Sequence, residues 1–377
     1  MAIVTDTFRQ VGDQLRKLPK AISTLRNLWL FLLRHKKPLD LLYLIFWNFK
    51  LNRTSVSALE PEELKGWLPL QINTEKQTVA WVDRGQAAFN EPFFYETIGR
   101  IIGEHNPPPI LTKIDTLKAI RGGLKPTGFI FHTSKCGSTL VSNMFKALPR
   151  HLVISEPNAT NSILTLPSDQ FPESVKIELF QGAVNAFAQS ALPQEKKYFI
   201  KFTSWNVLQL PFIKKAFPDV PWLFLYRHPV EIIVSLLQTP TGWLSNKKDS
   251  HFAKQLLGAD VSDIEINQMS DAEYSARVLA NFCQTALQEM DAKALVVNYN
   301  QLSEPCLRDM LTFFQIEASE DEIATMAQAL NYYSKDAIQN KAFQDDSAAK
   351  QKQASAEIHH LSEKWAMAPY RKLENQE

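Results

Sequence analysis

The chain has 377 residues, of which 45% are hydrophobic and 21% charged, and its formal net charge is +1. That length has room for one large α/β domain with a smaller appendage, and the near-neutral charge argues against a nucleic-acid partner. The three cysteines, Cys136, Cys283 and Cys306, are too few and too widely spaced for a disulfide framework or a zinc cluster, which points to a reducing, cytoplasmic setting.

Residues 1–53 carry ten Lys or Arg against three Asp and read as a basic, apolar helical segment. Two apolar runs, Leu28 to Leu33 and Leu39 to Phe49, are split by Arg34-His35-Lys36-Lys37-Pro38. Neither run approaches the ~20 residues that a spanning helix needs, and the polar start does not fit a cleavable signal peptide. Two readings stay open: the apolar face docks on the main domain, or it makes a peripheral contact with an anionic membrane.

Residues 54–110 read as a small accessory α+β region. Trp67 to Ile72 and Thr78 to Val82 are short β-like runs, and Glu91-Pro92 opens a helix. The stiff run Asn106-Pro107-Pro108-Pro109 marks a boundary. From about Gly122 the texture changes, and 122–377 reads as the main domain. Its predicted strands are Gly128 to Thr133, Leu152 to Ser155, Tyr198 to Phe202, Trp222 to Tyr226 and Ala294 to Val297. Nearly continuous apolar strands separated by helix-length segments predict an α/β fold with a central, mainly parallel sheet flanked by helices. The polar stretch Gln344 to Ala356 reads as a loop or a surface helix.

Two strand-to-helix turns carry the chemistry. In the first, Gly128 to Thr133 runs into Ser134-Lys135-Cys136-Gly137-Ser138-Thr139, and a helix follows until Pro149. Such a turn aims unpaired backbone N–H groups and the positive helix end at one point, which suits a phosphate. Gly137 allows close backbone approach, Ser138 and Thr139 add hydroxyls, Cys136 offers its backbone N–H, and Lys135 adds a full charge. In the second, Trp222 to Tyr226 ends in Arg227-His228-Pro229, with Ser235 about two turns into the next helix. Arg227 supplies a planar fork for a second phosphate and Ser235 a hydroxyl.

Lys135-x-Gly137-Ser138-Thr139, followed by Arg227-x-Pro229 and Ser235, resembles the two nucleotide-binding elements of the sulfotransferases that use 3′-phosphoadenosine-5′-phosphosulfate (PAPS). The resemblance covers roughly residues 122–373 and implies the P-loop-like sulfotransferase fold. It also implies PAPS as co-substrate without a metal, and in-line transfer of a sulfuryl group to a hydroxyl or amine. Lys135 would then stabilise the bridging oxygen, with Cys136, Gly137, Ser138, Thr139, Arg227 and Ser235 binding the nucleotide. Cytosolic members place a His base after a Lys-Thr pair, whereas the matching stretch here, Lys201-Phe202-Thr203-Ser204-Trp205, has none. Other branches use a Glu after the strand that follows the phosphate-loop helix, which implies Glu156 as base, its pKa raised by partial burial. The alternative for Glu156 is an ion pair with Arg150 or Lys201.

In the same family a late loop adds 3′-phosphate contacts, and the segment from Lys341-Ala342-Phe343 through Ser347, Lys350 and Lys352 is the counterpart here, without the usual glycines. His132, His228 and His251 read as structural. The acceptor class stays open among small molecule, carbohydrate, lipid and peptide. A nucleotide kinase or NTPase needs Lys directly after the last loop Gly, which this sequence lacks. A non-catalytic, membrane-associated nucleotide-binding module is the third reading.

Overall fold

The computed structural model describes residues 47, 50–332 and 346–375. The expected helices and membrane contact of residues 1–53 fall almost wholly outside the described residues, as do Lys341, Ala342 and Phe343.

The first sheet is antiparallel, with β1 Trp67–Asn73, β2 Thr78–Asp83 and β3 Ile110–Lys113 in the order β1-β2-β3. It therefore continues past the Pro107 to Pro109 run. Four residues with only two apolar side chains give β3 little periodicity of its own, and pairing with β2 makes it a strand. Helix α1, Phe94–His105, joins β2 to β3, and α2, Ile114–Ala119, follows.

The main sheet contains β4 Gly128–His132, β5 His151–Ser155, β6 Lys197–Lys201, β7 Trp222–Tyr226 and β8 Ala294–Asn298. Their order is β5-β6-β4-β7-β8, and every neighbouring pair is parallel. This is the expected α/β fold, and all five predicted strands form within a residue of their predicted ends. Side chains alternate across the sheet. Phe129, Phe131, Ile154, Ile200, Phe202 and Phe224 join one apolar core, and Ile130, Val153, Phe199, Leu223 and Leu225 join another. Both faces are thus buried, which explains why the strands read as apolar runs.

Helix α3, Ser138–Lys146, covers the second face with α5, Glu304–Phe313. The first face is covered by Glu173–Gln189 and Asp271–Glu289. The small sheet is tied to the large one through a buried guanidinium. Arg84 donates to both carboxylate oxygens of Glu195 at 2.8 and 2.7 Å, to Ser190 O at 2.6 Å and to Ala87 O at 2.8 Å. Residues 114–119 also lie close against 173–189 at Gly182, where a Cβ would fall 1.9 Å from Leu117 O. Among the described residues, no helix is long and apolar enough to cross a membrane.

Candidate active site

The strand order decides where a ligand crevice opens. The chain leaves central β4 for the edge strand β5, and leaves β7 for the opposite edge strand β8. The loops at the carboxyl ends of the adjacent strands β4 and β7 therefore diverge, and in open α/β sheets ligands bind in such a crevice. Both turns singled out in the sequence sit there.

The first turn is held in an uncommon backbone. Ser134, Lys135 and Gly137 have φ of +73°, +50° and +83°. Such values are costly for Ser and Lys and must be held by their surroundings. Ser134 N–H donates to His132 Nδ1 at 3.1 Å, Ser134 Oγ donates to Ser204 Oγ at 2.6 Å, and Trp243 Nε1 donates to Ser134 Oγ at 3.1 Å. The buried Cys136 thiol donates to Leu225 O at 3.3 Å. Gly137 is required twice over, by its φ and by close approach, since a Cβ there would lie 2.6 Å from Leu302 Cδ1 and 3.0 Å from Tyr299 Cδ2. Gly137 is the N-cap of α3 and has no side chain, so the cap itself supplies no acceptor to the first N–H groups of the helix. Ser138 and Thr139 form the buried first turn.

The second turn places Arg227 at the tip of β7, with Pro229 opening helix α4, Pro229–Gln238. The guanidinium is almost fully buried. Its Nε donates to Glu231 Oε2 at 2.7 Å, and its Nη2 donates to Asp346 Oδ1 at 2.6 Å and Ser347 Oγ at 3.0 Å. Nη1 reaches Lys135 O at 3.5 Å, and the Tyr299 ring packs on the guanidinium face with its centroid 3.9 Å away. Ser235 lies on the same helix, but its hydroxyl donates to Glu231 O at 2.9 Å. The late segment forms helix α6, Ser347–Gln353, which packs against Pro229–Gln238. Gln351 of this helix donates to Glu231 Oε1 at 3.0 Å.

Glu156 stands just past β5 with φ +60°, its N–H donating to Lys201 O at 2.7 Å. Its carboxylate pairs with Lys201 Nζ at 2.7 Å and lies 3.7 Å from His132 Nε2. Lys201 is fully buried, whereas the Glu156 side chain keeps 24% exposure. Burial by itself would raise the Glu156 pKa, as expected from the sequence. The Lys201 charge and hydrogen bond, together with those of His132, outweigh it and pull the value down to about 2, opposite to the rise expected from the sequence. Of the two pairings open for Glu156, Lys201 is the one formed, and Arg150 pairs instead with Glu322 at 3.0 Å.

The accessory region closes this flank. Lys201 Nζ sits 4.8 Å from the Phe93 ring centroid, and Phe93 stacks on Tyr95 at 5.7 Å. Burial, then the charges of Glu96 and Glu156, push the Tyr95 phenol up. Lys146, at the end of α3, donates to the Glu91 carbonyl. Burial, helped by repulsion from Lys201, lowers its pKa to about 7.

The structure thus brings Lys135, Cys136, Gly137, Ser138, Thr139 and Arg227 to one crevice, with Glu156 at its β5 side. Ser235 is near but turned to its own helix. His132 is buried and hydrogen-bonded through both ring nitrogens, to Ser134 N–H and to Phe202 O at 3.1 Å. His228 packs on Tyr370, and His251 contacts Gln255. Sequence reasoning missed Phe93, Tyr95, Lys146, Trp243, Tyr299 and Asp346. Only the Glu91 to Tyr95 run carried a signal, as an aromatic helix opening. Among the described residues, no group of His, Cys, Asp and Glu could hold a metal ion.

What the fold and crevice define is an α/β protein with a central parallel sheet and two strand-to-helix turns that meet at one end of it. Solved structures similar to it include the sulfotransferase domain from the curacin biosynthetic pathway, at 12% identity and TM-score 0.39, covering 64% of this chain and 98% of that one. The sulfotransferase domain from the Synechococcus PCC 7002 olefin synthase is 15% identical, with TM-score 0.40 and 65% and 95% coverage. A mouse sulfotransferase complexed with PAP is 11% identical, with TM-score 0.33 and 66% and 82% coverage. No family model matches the chain. No curated protein matches it in sequence.

Proposed function

We propose that the chain is a sulfotransferase that moves a sulfuryl group from PAPS to a hydroxyl or amine of its acceptor. The observation that carries this reading is the meeting of the two motif turns, with Arg227 Nη1 3.5 Å from the Lys135 carbonyl. A nucleotide with phosphates at both ends of its ribose needs two cationic sites on one crevice, and a nucleoside triphosphate does not. The order of the motif residues and their two adjacent parallel strands support the same reading.

On this reading, the Lys135 ammonium and the N–H groups from Cys136 to Thr139 hold the 5′-phosphosulfate and stabilise the charge that grows on the bridging oxygen. Arg227 holds the 3′-phosphate, and Ser235 joins it if its hydroxyl turns from Glu231. The acceptor oxygen forms a bond to sulfur while the bond from sulfur to the bridging oxygen breaks, and adenosine 3′,5′-bisphosphate leaves. Glu156 takes the acceptor proton. At a pKa of about 2 it is ionised at neutral pH but is a weak base. The Lys201 ammonium 2.7 Å away sets that low basicity, so Lys201 and Glu156 act as a pair in proton uptake. Phe93 and Tyr95 form the acceptor-side wall.

Calorimetry tests the nucleotide part: the protein binds adenosine 3′,5′-bisphosphate and prefers it strongly over 5′-AMP. Incubation with labelled PAPS and extract fractions, wild type against Glu156→Ala, then identifies the acceptor. Absence of any preference between the two nucleotides refutes the proposal.

A further inference from the structure

We propose that the Asp346 carboxylate is an internal competitor for Arg227, seated where the nucleotide's 3′-phosphate binds and exchanging with it in each turnover. This rests on the sulfotransferase reading.

Every side of the guanidinium is engaged. Nε holds Glu231, Nη2 holds Asp346 and Ser347, Nη1 faces Lys135 O, and Tyr299 covers one face. An incoming phosphate must therefore displace a partner. Glu231 cannot leave readily: its side chain is 5% exposed, it lies one turn from Arg227 on the chain, and Gln351 holds its second oxygen. Asp346 differs on each count. Its side chain is 48% exposed, it is 119 residues away in sequence, and it reaches Arg227 only through α6.

Asp346 also carries its own compensation. Lys350, one turn on in α6, pairs with Asp346 Oδ2 at 2.6 Å. When the carboxylate leaves Arg227, its charge stays paired and half in water, so the departure costs little. The exchange is equally favourable for Arg227, which is never left as a buried, uncompensated cation. A phosphate brings more charge and three acceptor oxygens against the single charge of Asp346, so it wins the site. The competitor is nevertheless tethered to the site and present at high effective concentration. It weakens the grip on the 3′-phosphate and speeds the loss of the spent nucleotide, a step that limits turnover in many enzymes.

The test is titration of the full-length wild type and Asp346→Asn with adenosine 3′,5′-bisphosphate and with 5′-AMP, joined to stopped-flow chase of the bound bisphosphate. Asp346→Asn is expected to bind the bisphosphate about tenfold more tightly, mainly through slower dissociation, with 5′-AMP affinity unchanged. Equal or weaker bisphosphate binding by the variant overturns the proposal, as does an equal gain for 5′-AMP. A wild type that binds neither nucleotide removes the sulfotransferase reading, and this proposal with it. A wild type that binds the bisphosphate, beside a variant that does not gain, removes the competitor alone.

Discussion

The Arg227 guanidinium lies 3.5 Å from the main-chain carbonyl of Lys135, although 92 residues separate them in sequence. Parallel pairing of β4 with β7, His132 opposite Leu225, brings the two turns together at one end of the sheet. Two cations that each favour an anion thereby share one crevice.

Loss of either cation should separate the two ends of the nucleotide. Arg227→Ala is expected to weaken adenosine 3′,5′-bisphosphate about 10- to 100-fold by calorimetry, from the loss of charge-assisted hydrogen bonds. Its effect on 5′-AMP is small. Lys135→Ala weakens both nucleotides. Equal losses for both nucleotides in Arg227→Ala would place the guanidinium elsewhere in binding.

Gly137 tests the turn itself. With φ at +83° and Leu302 2.6 Å from a virtual Cβ, Gly137→Ala should lower unfolding stability by about 1–3 kcal/mol and abolish nucleotide binding. Thermal melts report the first effect and titration the second. A variant with wild-type melting and affinity would mean that the backbone there adapts freely.

The Glu156 and Lys201 pair predicts an acid limb in stability. The folded carboxyl, at about 2, lies below its ordinary 4.5. The stabilisation is complete above pH about 4.5 and is lost as pH falls toward 2, amounting to roughly 3 kcal/mol. Glu156→Gln should flatten the fall of Tm between pH 5 and 3. The same variant should lower kcat at least ~100-fold while leaving bisphosphate affinity nearly intact. An unchanged kcat would remove Glu156 as the base.

Lys146 predicts a slope of opposite origin. Its folded pKa of about 7 lies below the ordinary 10.5, so between these values the unfolded chain binds the extra proton. Stability should therefore rise with pH from about 7 to 10 on this group's account. Lys146→Met should remove that rise in melts across the alkaline range, whatever its effect at a single pH.

The main sheet was legible because burial on both faces writes itself as apolar runs such as Trp222 to Tyr226. The two turns were legible because Lys135, Gly137 and Arg227 sit beside those runs. β3 was not, since Ile110 to Lys113 depends on its partner strand and not on its own pattern. The direction of the Glu156 shift was also hidden. Burial was foreseeable from the strand end, but which cation stood 2.7 Å away depended on the register Ser155 to Lys201 between β5 and β6. Asp346 lay inside the late segment that the resemblance singles out, but nothing marked this residue within it, and only the packing of α6 reveals its partner. The aromatic wall at Phe93 came from a region that the family resemblance does not reach.

The guanidinium of Arg84, locked between Glu195 and three further oxygens, has a consequence for how new acceptors could arise. It pins the small sheet to the large one, and on the proposed reading this fixes the flank that faces the acceptor. On the same reading, changes of acceptor come from side-chain replacement along Glu91 to Glu96, away from the Lys135 and Arg227 turns. Evolution, or an engineer, could recut one half of the cleft independently of the other.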